Sequence, residues 1–127
     1  MSLWDDLGLN EKMLTVLDVS SHVEDHHFGR PFLTGYQVAM RFKELFPDDF
    51  AKIGKPIGGE GVGSRDSLAQ YLALELSRNI KSGNLKGVEG GFLSRAYLHN
   101  LAYQFEAEAL TSSAGQSYDL SVFRLAE

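Results

Sequence analysis

The sequence predicts an α+β fold: helices followed by a C-terminal antiparallel β-hairpin. Two observations carry this expectation. Up to about residue 100, apolar residues recur at helical spacing, as in Leu68, Leu72, Leu76 and Ile80. From residue 101 they mostly alternate: Leu101, Tyr103, Phe105, Ala107 and Ala109, then a polar turn, then Tyr118, Leu120 and Val122. Helices followed by strands in a short chain belong to the α+β class rather than the alternating α/β class. A third observation is length. A chain of 127 residues suits a single domain, here 1–127, with one hydrophobic core. It contains no internal repeat, low-complexity tract or linker.

Residues 1–9 form a lead-in. Trp4, Leu7 and Leu9 are too apolar for a free tail and are expected to dock on the domain or on a second copy. The helical part spans 10–83. Asn10 is a candidate N-cap, with Glu11 in the first turn where the helix dipole favours an anion. A first helix is expected from Glu11 to His26, with Leu14, Leu17 and Ser21 on one face and Met13 and Val16 beside them. Gly29-Arg30-Pro31 breaks the chain. Thr34-Gly35-Tyr36-Gln37 fits a capping box, flanked by Leu33 and Val38 as a hydrophobic staple. Val38, Phe42, Leu45 and Phe46 then form an apolar stripe. Pro47 ends that helix or opens a further turn to Ile53, which stops at Gly54.

Residues 54–63 are a glycine-rich loop, and a strong helix over 64–82 follows. Its cap is Ser64, Asp66 or Ser67, and Ser67 with Gln70 is a second capping-box match. Leu68, Leu72, Leu76 and Ile80 make its buried stripe, with Ala69 and Ala73 allowing close packing and Gly83 a natural terminator. Between 84 and 100, Gly87, Gly90 and Gly91 imply turns, and Ser94 is a cap for a short helix through Leu98. The hairpin, 101–125, has arms at about 101–110 and 118–125 joined near Gly115. Leu17, Phe42, Phe46, Leu68, Leu72, Leu76 and Phe105 are expected to share the core.

Composition excludes several chemistries. With no cysteine, the chain has no disulfide, no thiolate nucleophile and no Cys-ligated zinc. No apolar run approaches the roughly 18 residues that span a bilayer. The first residues lack the basic start and apolar core of a secretory signal, so a cytoplasmic protein with no membrane partner is expected. The net charge of −5 is uneven. Residues 1–51 carry four basic and nine acidic groups, 52–95 seven and four, and 96–127 one and four. A basic middle between acidic ends is the footprint an anionic partner would leave, although a segment this modestly basic also arises by ordinary fluctuation.

Three constellations bear on chemistry. His22 and His26 stand at i, i+4 beside Glu24, Asp25 and His27, so on a helix both rings face one side. Val23 stands where the zinc-protease motif has its catalytic Glu, and histidines near a helix C-terminus are favoured by the dipole alone. No metal is therefore expected. The second constellation is the loop running into the strong helix, where Gly61, Gly63, Ser64 and Arg65 could hold an anion. Gly63-Ser64-Arg65 is not the Walker sequence, and the dinucleotide fingerprint fails on spacing. The third is the outer face of that helix. Arg65, Gln70, Arg78, Asn79 and Lys81, with Lys55 from the loop, include the side-chain types that read base edges and grip phosphate, though a solvated helix face has the same composition. Serines and histidines occur without a Gly-x-Ser-x-Gly elbow, and no catalytic residue or cofactor is expected.

The order helix 11–26, segment Pro31–Leu33, helix 34–46, helix 64–82 and hairpin resembles a winged helix-turn-helix domain. The resemblance lies in element order and covers most of the chain. It implies that Pro31–Leu33 is the short first strand, that 64–82 is the recognition helix and that the Thr111–Ser117 turn is the wing. The loop before the recognition helix is longer than the usual 3–4 residues, 84–100 intervene before the hairpin, and the wing is not basic. The expected function is a non-catalytic module binding nucleic acid or regulating through protein contact. The alternatives are a small homodimeric interaction or accessory protein, and a phosphate- or small-ligand-binding domain using loop 58–65.

Overall fold

A computed structural model describes residues 2–20, 28–58, 67–94, 96–98, 101–106, 108–111 and 120–126. Ser2 caps a one-turn helix, α1 (Leu3–Asp6), by accepting from the Asp5 N–H. Gly8, at φ 62, makes the left-handed turn into α2 (Leu9–Val16). Asn10 is therefore not the cap. It lies in the first turn, and its Oδ1 accepts from the buried Trp4 Nε1 at 2.8 Å. The lead-in docks on its own domain: Trp4 and Leu9 are core residues.

The first helix is shorter than predicted. α2 ends at Val16, and 18–20 are not helical. Arg41 explains the stop: its Nε donates to the Val16 carbonyl at 2.8 Å and its Nη2 to the Asp18 carbonyl at 3.4 Å, so these carbonyls need no further helical turn. Residues 21–27 of the predicted helix lie outside the described residues. The buried face is Leu9, Met13, Val16 and Leu17, while Leu14 faces outward.

The strand β1 (Leu33–Thr34) leads directly into α3 (Gly35–Leu45). Both capping-box bonds form there, Gln37 N–H to Thr34 Oγ1 and Thr34 N–H to Gln37 Oε1. Pro47 opens α4 (Pro47–Ile53), which closes on Gly54 at φ 71. Ser67 caps α5 (Leu68–Ser82), and Gly83 at φ 83 ends it. α5 crosses α3 at Gly35, where an added Cβ would sit 3.1 Å from the Ala69 carbonyl oxygen.

The remaining strands are β2 (Val88–Leu93), β3 (Ala102–Phe105), β4 (Glu108–Thr111) and β5 (Leu120–Leu125). The fold is mixed α+β, with the helices preceding the C-terminal strands. The single predicted hairpin is corrected to two antiparallel arrangements. β3 pairs with β4, Ala102 opposite Thr111 and Phe105 opposite Glu108, because the chain turns at Glu106 with φ 52 inside the predicted first arm. β5 instead sits between β1 and β2, in the order β1-β5-β2. Residues 88–93, read as turns from their glycines, are therefore a strand. Gly90 lies under the Phe123 ring, where an added Cβ would meet ring carbons at 3.5 Å. Ser94 and 96–98 are not helical; the Ser94 hydroxyl accepts from the Ala96 N–H in a turn. The predicted turn at Gly115 lies outside the described residues.

One apolar cluster runs from Trp4 to Phe123. Leu17, Phe42, Leu68, Leu72 and Leu76 are fully buried in it, and Phe46 and Phe105 pack at its margin, partly buried. The β3–β4 hairpin docks on α3. Tyr103 stacks on Tyr36 at 5.4 Å and its hydroxyl meets Thr34 Oγ1 at 3.1 Å. Lys43 pairs with Glu106 at 2.7 Å and lies over the rings of Phe50 and Phe105. No helix among the described residues is long and apolar enough to cross a membrane.

Candidate functional site

α5 is held from one side and open on the other. Leu68, Ala69, Leu72 and Leu76 are buried against α3 and the sheet, at the three- and four-residue spacing of one helix face. The opposite face presents Gln70, Leu74, Ser77, Arg78 and Lys81. Leu74 is 52% exposed. The Arg78 side chain is 70% exposed and pairs with Glu75 at 3.1 Å, one turn back. Exposed pairs of this kind contribute little, so the guanidinium can exchange partners at small cost. Tyr71 flanks the face, edge-on to Trp4 at 6.1 Å. Burial, with Glu75 nearby, raises its pKa, which keeps the phenol neutral.

Not every predicted contact residue reaches this surface. Asn79 is 9% exposed, and its Nδ2 donates to the Glu75 carbonyl at 2.7 Å. It braces the helix and is turned away from any base edge. Gln70 does stand on the outer face, half-buried at the start of the helix, where its backbone N–H donates the cap bond to Ser67 Oγ. Lys55 is half-buried in the segment after α4. Arg65, Gly61, Gly63 and Ser64 lie outside the described residues, as do His22, His26 and residues 112–117 of the wing turn. Among the described residues, no group of three or more His, Asp or Glu side chains could hold a metal.

The alternative anion site loses one of its donors' sources. α5 begins at Leu68 rather than at 64, and its first N–H groups are already bonded. Leu68 donates to the Pro56 carbonyl at 2.7 Å, Ala69 to that of Ile57 at 3.0 Å, and Gln70 to Ser67 Oγ at 3.0 Å. A helix terminus binds phosphate through unpaired N–H groups, and here Pro56 and Ile57 have taken two of them and the Ser67 side chain the third.

Leu74 is the residue that sequence reasoning passed over. The signal was present: it stands two positions after Leu72, across the helix from the buried stripe. Comparison with protein-family models, with curated proteins and with solved structures finds no match for this chain.

Proposed function

We propose that the protein is a non-catalytic, winged-helix-like module that binds nucleic acid through the outer face of α5. The observation that carries the reading is the rigid presentation of Gln70, Ser77, Arg78 and Lys81 on a helix whose other face is locked in the core. The connectivity supports it: α2, the short strand β1, then α3 and α5, then β2 and β5, with β5 central in the order β1-β5-β2; α4 and the β3–β4 hairpin are additions to that plan. α5 occupies the position of the recognition helix in that plan. Arg78 and Lys81 are the phosphate contacts and Gln70 is the base reader.

The test is fluorescence anisotropy with labelled duplex and single-stranded DNA at two salt concentrations. Each phosphate neutralised contributes about −0.9 to the log–log salt slope. Arg78→Ala with Lys81→Ala is expected to weaken binding to every sequence and to make the slope shallower by about 2. Gln70→Ala is expected to reduce sequence discrimination and leave the slope unchanged. Absence of binding at low salt, or binding indifferent to both cations, refutes the reading.

A second reading is favoured by Leu74. A half-exposed leucine at the centre of the face suits a protein partner, which would bury it, better than a phosphate backbone. If duplex binding fails, regulation through protein contact at the same face takes its place.

A further inference from the structure

The open edge of the three-stranded sheet carries a separate inference. Among the described residues β2 pairs on one side only, with β5. Ala126 N–H donates to the Gly87 carbonyl at 2.8 Å, which identifies 87 and 126 as a hydrogen-bonded pair. By antiparallel alternation, Glu89, Gly91 and Leu93 also turn their backbone groups toward β5. Val88, Gly90 and Phe92 therefore turn theirs outward, along an edge with no proline. Phe92 is 74% exposed. The single charged side chain of the strand, Glu89, is engaged by Arg124 Nη2 at 3.2 Å across β5. Within Val88–Leu93 no lysine guards the edge and no bulge interrupts the register with β5, the two devices natural proteins place on such edges.

We infer that this edge is the interface of a homodimer, in which β2 pairs antiparallel with β2 of a second copy about a two-fold axis at Gly90. The strand is self-complementary in that register. Gly90 meets the partner's Gly90, where no side chain stands between the backbones. Val88 stands opposite the partner's Phe92, a β-branched and aromatic pair of the kind that stabilises cross-strand contacts. Glu89 stands opposite the partner's Gly91, so no carboxylates are apposed. A two-fold at Glu89 would set the two carboxylates directly against each other. The outcome is a six-stranded sheet that covers both copies of Phe92. The apolar lead-in offers no such surface, since Trp4 and Leu9 are buried in their own chain.

The experiment is sedimentation over a concentration series, with disulfide mapping in a chain that has no native cysteine. The wild type is expected to move from monomer to dimer mass as concentration rises. Phe92→Lys is expected to weaken the dimer by at least about tenfold, with its circular dichroism unchanged and its melting unchanged at concentrations where both proteins are monomeric, because Phe92 is exposed in the single chain. On oxidation Gly90→Cys is expected to cross-link, since the paired Cα atoms of such a register lie about 5.5 Å apart. Glu89→Cys is expected not to, its symmetry mate lying beyond the roughly 7 Å reach of a disulfide. A monomer at the highest soluble concentration overturns the inference and leaves the edge for a strand of another protein. So does a dimer that tolerates Phe92→Lys, or one in which Glu89→Cys cross-links as readily as Gly90→Cys. None of these outcomes depends on nucleic-acid binding.

Discussion

Gly35 begins α3 with a backbone conformation open to any residue, yet its missing side chain sets how closely α5 approaches. An alanine there would place Cβ 3.1 Å from the Ala69 carbonyl, a backbone oxygen inside a helix that cannot swing aside. Alanine's helix-propensity advantage is at most about 1 kcal/mol, whereas overpacking costs about 1–3 kcal/mol. Gly35→Ala is therefore expected to lower the urea midpoint. Leu72, fully buried, is expected to lose about 2–5 kcal/mol on truncation to alanine in the same assay. Tyr103 adds a pH dependence. Burial raises its pKa, with Tyr36 adding to the rise and the bond to Thr34 opposing it. A folded pKa above the unfolded value of about 10 means that stability holds below about pH 10 and is lost as pH rises through the folded pKa. Tyr103→Phe is expected to flatten that alkaline loss in urea titrations across the range, at the cost of the Thr34 hydrogen bond.

Elements are tied to one another by a few cations. Lys12 of α2 pairs with the buried Asp49 of α4. Lys43 of α3 holds the β3–β4 hairpin through Glu106 and Phe105. Arg124 of β5 does most. Its guanidinium lies 4.3 Å from the Phe32 ring centre, donates to the Phe28 and Arg30 carbonyls at 2.6 and 3.2 Å, and pairs with Glu89. It fastens the segment before β1 to the sheet. Arg124→Ala is expected to speed hydrogen exchange across residues 28–34 while leaving α5 unchanged. Arg124→Lys is expected to behave like the alanine variant, because an ammonium lacks the planar fork that donates to two carbonyls while stacking on a ring.

At the scale of the whole molecule, net charge opposes the proposed ligand. The chain carries −5, with an isoelectric point near 5.3. The outer face of α5 can neutralise few phosphates, because Arg78 and Lys81 are its exposed cations among the described residues. Two contacts give a salt slope near −1.8 and three near −2.7. Affinity for duplex is expected to fall roughly 10- to 40-fold between 50 and 200 mM salt, and non-specific binding at physiological salt to be weak. Anisotropy titrations at several salt concentrations measure this directly.

Local chemistry was legible in the chain. The capping box at Thr34 and Gln37, the Ser67 cap and the glycine stops at 54 and 83 all join residues within a few positions of one another, so the motif contains its own partners. The buried stripe of α5 followed for the same reason, from a helical period. Of the candidate site, Arg78 and Lys81 were readable as outward because they stand off that stripe. Asn79 was not, since its burial depends on the elements packed around α5 and its amide turns to the Glu75 carbonyl. The strand pairings were not readable either. Alternation at 101–110 marks a β region but does not say that it folds back on itself at Glu106, nor that β5 passes it over for Val88–Leu93 and Leu33–Thr34. Gly90 and Gly91 have the composition of a turn, yet they lie in a strand, with the Phe123 ring over Gly90. The sequence alone determined the start of α3 and the ends of α4 and α5, because those contacts are short-range, but not the stop of α2 at Val16, which Arg41 sets from 25 residues away. Which strands meet, and which polar side chains stay on the surface, was decided by the tertiary structure, because those contacts join residues far apart in the chain.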